Sequence, residues 1–521
     1  MVSFVQRHAA SVIGVLNGFD RLRLRGTKRL LAHVGGLMNF LSQERVLLKD
    51  FKEYALAATD RIRRATERIA EAAGQAVRYL SSSLQSKEDL IAQIAAQNGV
   101  REGLVGILSC VEPCWSYEVH RNRARKEIEL LGGWRKCLHY YHYHRHPQLG
   151  LLHVRVQTWF SFSLHVCLNG REWLARQMDA AGIGYLRRDN CFVQIADLAG
   201  AQALLDRQLR TDWPRLLNGL AARVNPAERE LFRNTPVPYY WSVDQSEWAS
   251  DVMFQSAAAL AALYPRLIRH GMQNLGSADV MRFLGRKLPA HQGVHGGFVG
   301  ELVSDLKGRP EGLRIKHRLN RNWIKMYDKQ GSVLRVETTL NDARDMKVYR
   351  PKEGEPRGRK AWRYLRKGVA DLHRRARVSQ AANERYLRAL AAVEPTRPLG
   401  KLTERLCRPV VADGRRGRAL NPLSPEDARL LEAVNRGEFT LNGFRNRDLR
   451  PFLYDAPAAD KPAARRQSAA ITRKLRLLRA HGLIQKVQKT HRYVLTTHGA
   501  QAITALLSAR AADTAKLLSA A

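Results

Sequence analysis

The residues best suited to chemistry lie in Ile324-Lys325-Met326-Tyr327-Asp328-Lys329 and, just after it, in Leu334-Arg335-Val336-Glu337. Side chains alternate across a strand, so Lys325, Tyr327 and Lys329 share one face, and Arg335 and Glu337 share a face of the strand that follows. Two ammonium groups beside a phenol favour the phenolate and attract a phosphate, as a tyrosine that attacks a phosphodiester requires. In that arrangement Tyr327 is the nucleophile, and Lys329 and Arg335 hold the scissile phosphate. Glu337 or Asp328 binds a divalent metal, magnesium or manganese. The plainer alternative is an ordinary hairpin, with Tyr327 in the core and Lys329, Arg335 and Glu337 forming a surface ion-pair ladder.

A second candidate is His139-Tyr-Tyr-His142-Tyr-His144-Arg-His146. Alternation puts the imidazoles of His142 and His144 on one face, where they can share a metal. His153 or Glu112 would be the third ligand, which spacing does not fix. A basic, aromatic hairpin stacking on bases explains the same residues without metal. The remaining carboxylates are Asp20, Glu112, Asp244, Glu247 and Asp251. The last three fall at i, i+3 and i+7 in DQSEWASD, so one helix face would carry all of them. Asp20, Glu112 and one of these three would suffice for a nuclease-type metal cluster, although acidic helix faces are usually just solvated. Cys110 and Cys114 lack a second pair, which argues against structural zinc. No phosphate-binding glycine loop is present, and Ala181-Gly-Ile-Gly184 reads as a helix end.

These residues need elements to hold them. In RLRLR (21–25) arginines and leucines alternate, as in a half-buried strand. Leu48, Phe51, Ala55, Ala58, Ile62, Ala65 and Ile69 form a narrow helical seam suited to close antiparallel packing. Ser86 opens a helix that stops near Asn98-Gly99. Residues 104–112 read as a buried strand, and 154–168 as the clearest strand, split by a bend. Helices near 171–181 and 197–220 flank the strand-like YLRRDNCFVQI, with helices expected on one face of the sheet. Residues 221–300 look mostly helical. RIKHRL, WIKMYD and SVLRVETTL are short strands, the last two joined around Lys329-Gln330-Gly331. A helix follows at 379–393, and 395–421 is rich in Pro, Gly and Arg.

The expected fold class is therefore a multidomain α/β protein with a helical amino-terminal region (1–100) and an α/β core (101–345) carrying a helical insertion near 221–300. A basic helical segment (346–400), a linker (401–420) and a carboxy-terminal unit (421–510) complete it.

Composition narrows the function classes. The chain has 521 residues, 87 Lys+Arg against 48 Asp+Glu, a net charge of +39 and 45% apolar residues, which is globular rather than disordered. No signal peptide or membrane-length apolar run is visible, and six scattered cysteines point to reduced thiols in the cytoplasm. From Glu301 onward there are 48 basic and 22 acidic residues. Between Arg344 and Arg377 there are 13 basic and four acidic ones, with Trp362 and Tyr364 interleaved. This is the footprint of a polyanion partner, with Arg357, Arg359, Lys360, Arg363, Arg366 and Lys367 as the contacts. The other reading of such a stretch, a solvated basic surface or an anionic-membrane patch, is less favoured because arginine dominates and no lipidation motif exists.

Three resemblances add to this. In the carboxy-terminal unit, SPEDARLLEAVNRGE, NGFRNRDLRPFL and SAAITRKLRLLRAHGLI are three helices, followed by the hairpin QKVQKTHRYVLT. That order resembles the winged helix-turn-helix domains of bacterial DNA-binding proteins, a fold that also serves protein interaction. It implies nucleic-acid contacts from Arg473, Arg476 and Arg479 on the third helix and from Lys486, Lys489 and Arg492 on the wing. The Tyr-Asp-Lys and Leu-Arg-Val-Glu segments resemble plasmid and filamentous-phage rolling-circle replication initiators, and His142-Tyr-His144 resembles the metal-binding histidines of nicking enzymes. Segments such as SCVEPC, VQTWF and KMYDKQGSVLRVETT look like a family of uncharacterised bacterial proteins, which carries no activity to transfer. The expectation is a nucleic-acid-binding protein of a mobile element or genome-maintenance system, associated with the nucleoid, that nicks strands with a metal. The alternative is a non-catalytic ribonucleoprotein component that scaffolds a structured RNA.

Overall fold

Tyr239, Tyr240, Trp241, Val243, Trp248, Val252 and Phe254 crowd a segment expected to be helical. In the computed structural model it is a 16-residue strand, Tyr239–Phe254. Aromatic and β-branched side chains pack well on a pleated surface, and here that preference wins over the helical spacing of the acids. The helix face proposed for Asp244, Glu247 and Asp251 is corrected accordingly: strand alternation sets Asp244 opposite the other two.

The structure describes residues 3–82, 84–286, 300–309, 312–352, 354–355, 357–391, 399–412, 414–488 and 490–512. They fall into two units, 16–250 with 339–380, and 1–15 with 251–338 and 381–521.

In the first unit the strand order is Tyr239–Phe254, Val12–Lys28, Leu164–Asn169, Gly150–Gln157, Glu127–His146, Gly103–Asn122, Val77–Tyr79. The ladders from Val12–Lys28 to Gly103–Asn122 are antiparallel, and Val77–Tyr79 joins in parallel. The region 1–100 therefore contributes strands as well as helices. Leu22 and Leu24 point into the core and pair with Leu168 and Val166. The alanine seam of helix Phe51–Ala72 packs against the sheet rather than a second helix, with Ala55, Ala58 and Ile62 in one core with Tyr140, Val154 and Val156. On the opposite face, Ile91 and Ile94 of helix Lys87–Asn98 meet Val105, Leu108, Tyr141 and Tyr143. Helices cover both faces, not one as expected. Ser86 caps that helix through the Asp89 amide at 3.2 Å, and Gly99 ends it at φ 59°. The segment 346–400 is also corrected: it begins as a hairpin, Lys347–Arg350 with Ala361–Tyr364, before helix Leu372–Leu390.

In the second unit the order is Leu302–Arg309, Gly312–Leu319, Asn322–Lys329, Val333–Leu340, then the end of Tyr239–Phe254. One face is apolar: Ile315, Ile324, Met326, Leu334 and Val336 are buried. His317, on that face, lies 3.3 Å from the Tyr386 hydroxyl. The turn at Lys329-Gln330-Gly331 forms as expected. Asp328 Oδ1 accepts the Gly331 N–H at 2.9 Å, and Gln330 and Gly331 take φ 60° and 79°.

At the carboxy terminus, helices Pro425–Val434, Asn446–Leu453 and Lys461–Ala480 precede strands Ile484–Lys486 and Tyr493–Leu495 and helix Thr497–Ala511. Leu431, Phe444, Leu449, Ile471, Leu475 and Leu478 share a core. Ser424 accepts the Asp427 N–H at 3.3 Å with Pro425 opening the helix, where a missing amide costs nothing. Leu406 and Leu420 enter the same core, and Val410–Ala412 pairs antiparallel with Arg415–Gly417. Much of the expected linker 401–420 is thus built into the fold. Among the described residues, no helix is long and apolar enough to cross a membrane.

Candidate nucleic-acid interface and tyrosine cluster

The face of the second unit's sheet opposite its apolar side carries the tyrosine cluster. Register sets Arg314 beside Tyr327, Lys316 beside Lys325 and Arg318 beside Trp323. Glu337 Oε1 accepts Lys325 Nζ at 2.7 Å, and its Oε2 accepts the Tyr327 hydroxyl at 2.9 Å. Burial alone would raise the Glu337 pKa, but the Lys325 ammonium, Arg335 and the Tyr327 hydroxyl together hold it below the ordinary range. Tyr327, Lys325 and Glu337 are therefore brought together as the spacing required. Tyr327, Lys325, Lys329, Arg309 and Arg314 line a pocket of about 80 Å³, together with Asp328. Lys316 stands 4.2 Å over the Trp323 ring, and burial lowers its pKa.

Two assignments at this site change. Arg335 does not reach out to a phosphate: it is 1% exposed and holds Asp251 in a bidentate pair at 2.6 and 2.8 Å. Such a fork-on-carboxylate pair builds the sheet rather than a ligand site. Asp328 is committed to its turn as an acceptor for Gly331, and alternation puts it on the strand face opposite Tyr327. Burial raises its pKa, which disfavours the charge a metal ligand needs.

The second candidate surface lies on helix Lys461–Ala480. Its buried stripe of Ile471, Leu475 and Leu478 leaves Arg473, Arg476 and Arg479 exposed on the other side. Together with Arg416 and Lys486 they line an open groove of about 1130 Å³. Its one acid, Glu426, is neutralised by Lys474. Arg492 is half-buried beside this hairpin, and Lys489 lies outside the described residues.

In the basic segment the charges divide. Arg357, Arg359, Lys360 and Lys367 are exposed and Arg363 is half-buried. Arg366 is not available as a clamp residue: it grips the buried Asp371 at 2.8 and 2.9 Å, and Arg374 takes the same carboxylate at 2.5 Å. Burial alone would raise the Asp371 pKa, but the two arginines outweigh it and the carboxyl sits below its ordinary value.

His142 and His144 share a face, rings 6.4 Å apart and nearly parallel at 6°. They lie in the core, where burial pulls their pKa values to about 3 and about 4 and keeps them neutral. The suggested third ligands are on the opposite face: His153 sits against Tyr143 at 4.9 Å, and Glu112 binds Lys87 at 2.9 Å and the Tyr141 hydroxyl at 2.5 Å. Among the described residues no third ligand joins the two histidines. The suggested carboxylate cluster assembles in part. Oxygens of Asp20 and Glu247 lie within 4.8 Å of each other, with Asn190 donating to Asp20 at 2.9 Å and Arg171 forming an ion pair with it at 3.6 Å. Glu112 is separated from Asp20 by three strands and from Glu247 by four. Asp20 and Glu247 are the carboxylates in this unit placed to share a divalent cation.

Sequence reasoning missed Arg309 and Arg314 beside Tyr327. The alternation in GLRIKHRL, with Arg314, Lys316 and Arg318 on one side, was the signal. Comparison with family models, with curated proteins and with solved structures finds no match for this chain.

Proposed function

We propose that this chain binds nucleic acid, and that its carboxy-terminal region does so as a winged helix-turn-helix unit, with helix Lys461–Ala480 as the recognition helix. The observation that carries the reading is the exposed row Arg473, Arg476, Arg479 over a buried apolar stripe, in a groove whose one acid is already neutralised. Unpaired guanidinium groups spaced along one helix face suit successive phosphates or base edges. Replacing all three by alanine leaves the stripe and the fold intact. The slope of log affinity against log salt for duplex DNA should become shallower by about 2–3, at about 0.9 for each lost phosphate contact. An unchanged slope and affinity would move this region to protein interaction.

A second reading concerns phosphodiester chemistry at Tyr327. It is favoured by the 2.9 Å contact that offers Glu337 as acceptor for the phenolic proton. Lys325, Lys329, Arg309 and Arg314 surround the pocket where a phosphate would sit. Wild-type protein should then cut a labelled single strand with magnesium or manganese and form a covalent adduct. Tyr327→Phe should abolish both while binding persists. With neither cutting nor adduct, the non-catalytic scaffold of a structured RNA or DNA takes its place.

A further inference from the structure

The hairpin Lys347–Arg350 with Ala361–Tyr364 has two unlike faces. Lys347 pairs with Tyr364 and Tyr349 with Trp362, so these four side chains project from one side. The other side holds Val348 and Arg350, 9% and 8% exposed, with Arg350 donating to the Tyr364 and Pro351 carbonyls. The first side is open: Tyr349, Trp362 and Tyr364 are 59%, 59% and 58% exposed. Tyr349 and Trp362 lie with ring centroids 5.8 Å apart, and Lys347 stands 5.2 Å over the Tyr364 ring. Three large aromatic rings fixed on a backbone ladder and facing solvent is a costly arrangement for a surface without a ligand.

The charge around the rings selects the ligand. From Lys347 to Lys367 there are nine basic residues and two acids. Arg350 and Arg366 are spent internally, while Lys347, Arg357, Arg359, Lys360 and Lys367 are exposed. The centre of a protein–protein interface is poor in charge, whereas single-stranded nucleic acid wants π-faces for its bases and cations for its phosphates. We propose that this hairpin is a base-stacking platform for single-stranded nucleic acid, with Tyr349, Trp362 and Tyr364 taking successive bases. The inference deepens the nucleic-acid reading and rests on it, and it adds a surface distinct from the recognition helix.

The test uses the full chain and three fluorescent probes: an oligothymidylate, an abasic strand of the same length, and a duplex. Wild type should bind the oligothymidylate tightly and the abasic strand far more weakly. The triple variant Tyr349→Ala, Trp362→Ala, Tyr364→Ala should lose at least ~100-fold in affinity for oligothymidylate, since each stacked base contributes roughly fivefold or more and the three factors multiply. It should bind normal and abasic strands alike and keep its duplex affinity. Tyr349→Phe with Tyr364→Phe keeps the π-faces and should bind as wild type. If wild type binds none of the probes, the nucleic-acid reading itself falls. If wild type binds but the alanine variant matches it on oligothymidylate, the stacking platform alone is overturned. Vesicles of phosphatidylserine form a further arm: binding to them that is lost in the variant, with strand binding unchanged, would replace nucleic acid by a membrane surface.

Discussion

The segment from Arg344 to Arg377 and the helix Lys461–Ala480 are both arginine-rich, yet they use their arginines for different ends. In the first, Arg344 pairs with Asp342 at 2.8 Å, Arg366 and Arg374 converge on Asp371, and Arg350 is turned onto backbone carbonyls. Arg375 is 1% exposed and donates to the Leu340 carbonyl at 2.9 Å, with Ser246 Oγ and the Val243 carbonyl at 3.3 Å. On the helix, Arg473, Arg476 and Arg479 remain exposed. A count of charge cannot separate the two. What separates them is whether a carboxylate or an unsatisfied carbonyl lies within reach once the chain folds. Arginine's rigid fork of donors makes it as useful for closing a core as for holding a phosphate.

The strongest way to break the comparison is Arg375→Ala. It strands two buried carbonyls and a hydroxyl and leaves a cavity the size of a long side chain. A loss of about 3–5 kcal/mol in unfolding free energy is expected, at about 1–3 kcal/mol for each buried group left unpaired. The measurement is denaturant unfolding followed by tryptophan fluorescence. A variant as stable as wild type would mean that Arg375 is a displaced surface charge after all.

Asp371→Asn comes next. The folded carboxyl titrates below its unfolded value because Arg366 and Arg374 outweigh burial. Its stabilisation is therefore fully present above the unfolded pKa, near 4, and is lost as pH falls through the lower folded value. At neutral pH the variant should lose about 1–3 kcal/mol. The difference from wild type should shrink as pH drops from about 4 toward the folded pKa. A difference that does not vary across that window would remove the ionic account of this contact.

These pairs also mark what was legible in the sequence. Period-two alternation placed Lys325 and Tyr327 on one strand face, and Glu337 does meet them. Caps announced by Ser86 and Ser424 formed, and so did the αL glycines that end helices, Gly99 and Gly182. The caps and the alternation are local signals, within four residues of their cause, and the Glu337 contact reaches only across one hairpin. The failures are non-local. Arg335 looked like a ligand until Asp251, 84 positions away, took its Nε and Nη2 donors. DQSEWASD has helical acid spacing, but a sheet partner decides its conformation. His142 and His144 alternate as a metal pair would, yet they are buried in the core and, among the described residues, no third ligand joins them.

The smallest expected effect gives the sharpest contrast, because it compares neighbours in one segment. Arg357, Arg359 and Lys360 are exposed, whereas Arg366 is fixed to Asp371. Alanine at the three exposed positions should leave the unfolding midpoint where it is, since surface substitutions that break no contact change stability little. The salt slope for single-stranded binding should become shallower by about 2, at about 0.7 for each phosphate contact on a single strand. Arg366→Ala should do the reverse: lower the unfolding midpoint and leave the slope where it was. Both are read from anisotropy titrations at several salt concentrations beside denaturant unfolding curves. If Arg366→Ala flattens the slope as much as one of the exposed residues does, then Asp371 releases it on binding, and pairing in the free chain is no guide to which arginines meet phosphate.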